Sequence, residues 1–549
     1  MGRASSLPPP RGAARDFVVW ALLTAAASPL VAAPPVAVPH VGPNLRLHGP
    51  QRPAPDGQIG RVGSAVATDA AGRLVLAAWE TLQGSCGPPF GKPCPAPVPP
   101  GLTAVGASSD GGRTWTELGA PPPVGDSIAG GHPWLDRGGA DRQTFYLVNR
   151  ARHAADRSQQ TGLTFHRGHF KEGSFVWDDG KLLAPAVAGD VLRGPSLAAA
   201  KDGSGKLVVG YGNLRKICGQ PGRSAGQIEL LRSSDGGVTW EGPAVVSPDD
   251  TAVTADPADP ACGSPGTFQF ATSVALGLRD EVYVLWQAGP VAAIVDGAVV
   301  NQPVVGIRFA RSLDGGKTFQ APRDLARVNG LWENPAVGYS KDNLNNFPRL
   351  AVAPAGPHAG RLYVTYAGSL EPVRAPATGQ SLVSSEIYLI SSDDQGATWS
   401  PPRLLAGAVP PTGVKRFWPT VAVEPDGAVD VTFLESRETQ ATSDPGDVEC
   451  RVELLSGATR AGSVSSLADV WWVRSTDGGA GFGAPIRVTS QTSNWCATRS
   501  DRAGLLFANF GDYLGLAAAG GRLFAVWTDG RDGVPDAYVA ELRSQEEKP

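Results

Sequence analysis

Charge is scarce in this chain. Asp, Glu, Lys and Arg make up 18% of its 549 residues and the net formal charge is −4. There is no basic surplus with which to hold a polyanion, so nucleic acid is not expected as a partner. Helical periodicity is missing too, since no long stretch sets apolar residues at a 3.6 spacing, and helical repeats are excluded. The apolar run from Phe17 to Ala27 is too short to cross a bilayer, so no transmembrane segment is expected. Nor does composition break the chain into unlike domains, although 549 residues exceed one ordinary core. A repeat array satisfies both conditions.

What is abundant is turn chemistry, with 69 Gly and 49 Pro. One turn returns along the chain. Ser108-Ser109-Asp110-Gly111-Gly112-Arg113-Thr114-Trp115 recurs at Ser233 to Trp240 around Asp235, at Ser312 to Phe319 around Asp314 and at Ser392 to Trp399 around Asp394. A worn copy runs from Ser475 to Phe482 around Asp477. In such a corner Ser and Asp side chains bond backbone N–H groups, Gly supplies positive φ, and Thr and the aromatic residue open the next strand. Each copy follows a β-rich run such as Ile228 to Leu231 or Val305 to Phe309. The corner is therefore expected to join two antiparallel strands, with its ring packed between neighbouring sheets. A structural role is expected for Asp110, Asp235, Asp314, Asp394 and Asp477.

Around the corner a larger unit repeats: an extended segment, a Gly turn, a second apolar strand, a variable loop, then the hairpin. The second strands end at Trp79, Asn149, Tyr211, Trp286, Tyr366 and Phe433. The second unit lacks the corner. The last segment, 510–542, offers three strands, and Asn44 to His48 is the candidate for a fourth that closes a ring and protects its edge. The expected fold is all-β, a β-propeller of four-stranded antiparallel blades, seven in number with six as the runner-up. Residues 1–37 read as a secretory leader, because Arg3, Arg11 and Arg15 precede the apolar run and small residues suited to cleavage follow it. Residues 38–58 are a Pro-rich lead-in, 59–543 the propeller and 544–549 a charged tail. An exported monomer is expected.

Six cysteines test the blade register. With strands counted outward from the channel, Cys218 falls between the second and third strands of unit three and Cys262 in the connection to the next unit. Cys450 and Cys496 take the same two places in unit six, and Cys86 and Cys94 share a loop of unit one. All land on the face opposite the corners, in three expected disulfide pairs. Zinc is the competing reading, but these spacings give no compact cluster, and His166-x-x-His169 lies in a different loop.

The repeated Ser-x-Asp-x-Gly-x-Thr-Trp corner, the units around it and the exported context resemble the sialidase (neuraminidase) superfamily, whose repeats are known as Asp boxes or BNR repeats. The resemblance covers nearly the whole chain after residue 55. It is more specific for fold than for activity, since other glycosidases, polysaccharide lyases and binding propellers carry such turns. Sialic acid bears a carboxylate at its anomeric carbon. The resemblance therefore implies Arg residues converging on that anion, a Tyr nucleophile activated by Glu, and a separate Asp as acid/base.

Carried onto this chain, the anion-binding residues are Arg61, Arg193, Arg349 and Arg416. Tyr513, in Tyr513-Leu514-Gly515-Leu516, matches the nucleophile's segment without its Ser. Glu435 is the activating carboxylate, with Glu80 on the other flank. One departure concerns the proton donor, because the loop from Thr81 to Thr103 contains no Asp or Glu. Asp512 or Asp126 would have to substitute. Asp529, Asp532 and Asp536 suit either a calcium ion or a solvated turn, with no cofactor otherwise required. His132-Pro133-Trp134 and Trp418-Pro419 offer aromatics for stacking on sugars or for wedging blades. The implied activity is that of an exo-α-sialidase acting on a carbohydrate or glycoconjugate. The alternatives are a glycan- or protein-binding propeller that has lost the acid, and a polysaccharide lyase.

Overall fold

Short β-rich runs punctuated by Gly corners fold here as successive antiparallel hairpins. The structure is a computed structural model that describes residues 37–49, 60–81, 102–138, 143–157, 159–186, 190–216, 224–247, 253–256, 259–265, 267–290, 294–295, 298–299, 304–329, 336–339, 346–369, 385–406, 414–440, 450–453, 459–500 and 508–546. Its contacts separate two units. Of the first, Met1–Val38 with Gln545–Pro549, the described residues are strand ends only. The second, Pro39–Ser544, is a seven-bladed β-propeller of four-stranded antiparallel blades. No α-helix occurs among the described residues, and none of their helices is long and apolar enough to cross a membrane.

The innermost strands, blade by blade, are Arg61–Thr68, Trp134–Gly138, Asp190–Ala199, Thr267–Leu276, Arg349–Val352, Val414–Val423 and Gly515–Ala519. Blade 7 adds Arg522–Asp529 and Asp536–Glu546, and Leu45–Arg46 pairs with the latter through Leu45 to Val539 and Arg46 to Tyr538. Leu47 extends that seam by donating its N–H to the Ala537 carbonyl at 2.9 Å. The sheet edge of blade 7 is thereby covered.

The core lies between blades. Trp79, Asn149, Tyr211, Trp286, Tyr366 and Phe433, at which the sequence pattern ends the second strands, lie inside longer strands and are at most 1% exposed. Burying each large ring there stabilises the fold by roughly 1.5–3 kcal/mol.

The corners are closed hydrogen-bond circuits. Ser108 Oγ donates to Asp110 Oδ1 at 2.8 Å and accepts the Gly112 N–H at 2.8 Å, while Thr114 Oγ1 donates to Asp110 Oδ2 at 2.7 Å. The same bonds recur around Asp235, Asp314 and Asp394. Around Asp477 the Thr is replaced by Gly481, whose N–H supplies the bond at 2.8 Å. Burial raises the Asp110 carboxyl, but hydrogen bonds from Thr114, Ser108 and Arg113 outweigh it and hold the group at about 2. Bonds from Thr239 and Ser233 likewise hold Asp235 at about 2.

Each corner also presses on the preceding blade. A Cβ on Gly237 (φ 86°) would lie 2.4 Å from Phe165, and one on Gly396 (φ 78°) would lie 2.6 Å from Phe309. The corner tryptophans meet the same rings edge-on, Trp240 on Phe165 at 5.0 Å and Trp399 on Phe309 at 5.2 Å. An arginine of the preceding blade then caps a corner carbonyl: Arg522 on Gly111 at 2.6 Å, Arg311 on Gln395 at 2.8 Å and Arg361 on Gly478 at 3.0 Å. Blade 2 turns without this device. Its third and fourth strands are joined by Glu172 and Gly173, with φ of 52° and 82°, a two-residue hairpin whose twist matches the strands.

Candidate functional site

The channel end opposite the corners is shaped by backbone bulges. Register shifts fall between Gly63 and Ala65, Arg193 and Ser196, Phe270 and Ser273, and Phe417 and Thr420, all on innermost strands. Gly194, Ala271 and Trp418 occupy them in the left-handed region at φ 53°, 59° and 51°, and His132 does so at 52° just ahead of the blade 2 inner strand. For a non-Gly residue that conformation costs about 1–2 kcal/mol. A bulge re-aims the side chains beside it, which brings groups from several blades into the channel.

Tyr513 stands at their meeting point. It is 6% exposed and packs with Ala271 of blade 4 and Phe347 ahead of blade 5. Its ring lies 5.3 Å from Phe347, 6.2 Å from Trp134 and 6.3 Å from His132. A side chain leading into blade 7 that touches blades 2, 4 and 5 crosses the channel and stoppers it. The hydroxyl donates to the Pro133 carbonyl at 3.1 Å. Burial pushes the phenol well above its ordinary pKa; Arg349 and Arg150 pull it down, and Glu80 and Asp512 add to the rise. Tyr339 braces this segment by donating to the Gly511 carbonyl and, at 3.4 Å, to Asp512 Oδ1.

Arginines surround the stopper. Arg349, 5% exposed, lies 4.3 Å over the Trp134 ring and 4.8 Å from that of Tyr513. Its Nη1 is buried without a hydrogen-bond partner. Burial lowers the guanidinium to about 10, and among the described residues the opposing influence comes from Tyr513 rather than from a carboxylate. Arg150 pairs loosely with Glu80 at 3.8 Å, and Glu80 also accepts the His132 N–H at 3.1 Å. Burial, then Arg150 and Arg193, bring Arg152 down to about 10 against the pull of Glu80. Arg193 is open to solvent, yet crowding by protein leads the causes that lower it, followed by Arg150, with Asp512 opposing. Arg150, Arg152, Arg193 and Arg349 thus face two carboxylates, Glu80 and Asp512.

Other residues singled out in the sequence lie elsewhere. Glu435 is bound to Arg416 at 2.8 Å and to Arg437, and it is not among the charges acting on Tyr513. Arg61 feels Glu117 and Asp536 on the seam of blades 1 and 7, and burial lowers it. The structure therefore brings together Tyr513, Asp512, Arg193, Arg349 and Glu80, but not Arg61, Arg416 or Glu435. Asp126 sits in an exposed turn. Trp418 is 1% exposed and wedged against Phe417, Tyr339 and Trp495, whereas His132 and Trp134 do reach the channel.

Asp529 is paired with Arg531 at 2.6 Å, Asp532 accepts the Tyr538 hydroxyl at 2.9 Å, and Asp536 lies 3.3 Å from His48. Among the described residues no group of three ligating side chains converges as a metal site would need. No free cysteine occurs among them, and Cys496 is disulfide-bonded. Cys86, Cys94 and Cys218, together with the side chains of Cys262 and Cys450, lie outside the described residues.

Arg150 and Arg152 escaped the sequence reading, which ended the blade 2 second strand at Asn149. That strand runs on to His153. The available signal was the period-two Arg-x-Arg, which sets both guanidinium stems on one face of a strand.

No protein-family model matches the chain, and no curated protein matches its sequence. Solved structures similar to it include an α-L-arabinofuranosidase of Fusarium graminearum (14% identity, 78% of this chain and 97% of that chain, TM-score 0.40). An α-L-arabinanase of Penicillium chrysogenum is similar too (13%, 77% and 97%, 0.39), as is the NanB sialidase of Streptococcus pneumoniae (9%, 78% and 70%, 0.39). At scores this low, the side chains of the site itself, and not these likenesses, bear on function.

Proposed function

We propose that the protein is an exported, glycan-acting propeller whose channel mouth holds the carboxylate of an acidic sugar, and that it is a glycoside hydrolase of the exo-α-sialidase kind. The observation that carries the acidic-sugar reading is the charge imbalance at the mouth: Arg150, Arg152, Arg193 and Arg349 against Glu80 and Asp512. Guanidinium groups in excess over the neighbouring carboxylates form charge-assisted bonds with a ligand carboxylate at little reorganisation cost. Arg193 is the solvent-open member and meets the anion first. Arg349, pinned over two rings, contributes its field from beneath. In the hydrolytic route Tyr513 is the nucleophile: Glu80 takes its proton as the phenol oxygen bonds to the anomeric carbon, the glycosidic C–O bond breaks, and Asp512 gives the departing aglycone oxygen its proton before water releases the sugar. The leader at 1–37 and the disulfide pairs Cys86 with Cys94, Cys218 with Cys262 and Cys450 with Cys496 belong to the same proposal, as braces of an exported face.

A second reading is favoured by one hydrogen bond. Tyr513 donates to the Pro133 carbonyl, not to a carboxylate, and its pKa is raised. A phenol held in this way suits a floor on which a sugar rests, hence a glycan-binding propeller without turnover.

The test is release of a fluorogenic leaving group from an α-sialoside by native protein and by Tyr513→Phe, with calorimetric binding of free N-acetylneuraminic acid alongside. Turnover lost on Tyr513→Phe supports the hydrolase. Binding without turnover supports the second reading. Neither binding nor turnover removes the acidic-sugar claim.

A further inference from the structure

An apolar groove of about 390 Å³ lies at the seam of blades 1 and 2. Leu102, Leu118, Pro122, Ile128, Phe175 and Trp177 line it, and none of these side chains is charged. Its volume falls within the roughly 300–1,000 Å³ typical of small-molecule sites. Apolar walls give enclosed water few partners, so an apolar occupant gains by displacing it.

Strand register ties both walls to the arginine mouth. Leu102 pairs with Thr81, the residue after Glu80. Ile128 pairs with Arg152, and the adjoining Ala129 pairs with Ala151, between Arg150 and Arg152. The Arg152 stem crosses Gly130 so closely that a Cβ there would fall 2.1 Å from its Cγ. Ile128 of the trough and Arg152 are thus cross-strand neighbours on one sheet, which sets a cation beside the apolar lining.

We infer that the groove takes the alkyl chain of an acidic glycolipid-type glycoside while the arginine mouth holds its carboxylate. The inference rests on the acidic-sugar reading of the mouth. Preferred ligands are then amphiphiles, and free acidic sugars engage only half of the surface. Neutral alkyl glycosides lack the anchor at the charged end.

The experiment is calorimetric titration of the native protein with three probes: methyl α-N-acetylneuraminide, its octyl counterpart, and octyl β-glucoside. The octyl acid is expected to bind at least about tenfold more tightly than the methyl acid, since each buried methylene adds severalfold. Ile128→Ser, and independently Leu118→Ser, should remove most of that gain and leave methyl-glycoside affinity within about twofold. Equal affinities of the two acids in native protein overturn the groove and leave the acidic-sugar reading standing. Equal affinities of octyl acid and octyl glucoside, with no binding of the methyl acid, overturn the acidic-sugar reading and this inference with it. No binding by any probe overturns both.

Discussion

The two rims of the propeller treat polar groups in opposite ways. At the corners, each Asp accepts bonds from a Ser or Thr hydroxyl and from backbone N–H groups of its own turn, and arginines of the preceding blade cap the carbonyls. At the channel mouth, Arg349 Nη1 has no hydrogen-bond partner among the described residues, Arg193 is exposed, and Arg150 reaches its carboxylate only at 3.8 Å. A fold whose corners satisfy their own bonds can leave charges at the other rim poorly matched, because marginal stability is secured elsewhere. Substitutions at the corners should then alter stability and leave binding alone, and those at the mouth should do the reverse.

The largest effect is expected at a corner glycine. Gly237→Ala places a Cβ against Phe165 at a backbone φ of 86°, adding left-handed strain to overpacking. A loss of about 2–5 kcal/mol in urea denaturation is expected, with ligand affinity of the folded protein unchanged. A loss under about 0.5 kcal/mol would show that the corner tolerates a side chain after all.

Next comes an exception on the corner rim. Asp430, fully buried, and Glu424, 2% exposed, both accept from Arg474 Nη1 at 2.8 Å, and Asp430 also accepts the Trp472 Nε1–H at 2.8 Å. Burial raises Asp430 to about 7, with Glu424 adding to the rise and Arg474 and Trp472 opposing it. Because the folded state holds this proton more tightly than the unfolded chain does, the associated stability is fully present below about pH 4. It is lost as pH rises towards 7. A decline on the order of 4 kcal/mol across that window is expected, and Asp430→Asn should flatten it. An unaltered slope in the variant would assign the pH dependence to other groups.

At the mouth, Arg193→Ala is expected to weaken N-acetylneuraminic acid binding by about 10- to 100-fold, or about 1.4–2.7 kcal/mol, while the melting temperature scarcely moves. The reverse outcome, lost stability with intact affinity, would make Arg193 a structural residue. The smallest effect is expected from Arg349→Met. A desolvated cation with no carboxylate among the described residues acting on it gives up little when replaced by an apolar side chain of similar length, so stability should change by less than about 1 kcal/mol although the site is buried. Unfolding of this variant would show that its cation–π contacts hold the channel together.

The sequence made the corners legible because their chemistry is local: Ser108, Asp110, Gly112 and Thr114 find their partners within one turn. Blade number followed from counting such turns and the second-strand ends between them. The mouth was only partly legible. Arg193, Arg349 and Tyr513 stand beside bulges or strand starts that the pattern marks, and the structure gathers them. Arg61 and Arg416 occupy comparable strand starts but turn to Glu117 and Asp536, and to Glu435. Which way a strand-end side chain turns depends on charges placed by another blade, and spacing along one strand carries no record of them. Arg152, whose stem crosses Gly130, was hidden for the same reason.

Salt and charge dependence of sugar binding tests the central claim most directly. Native protein should bind N-acetylneuraminic acid with an affinity that falls severalfold as ionic strength rises from low to physiological, and should not bind a neutral sugar of the same size. Salt-independent binding, or equal binding of the neutral sugar, would contradict an anion held by the arginines of the mouth.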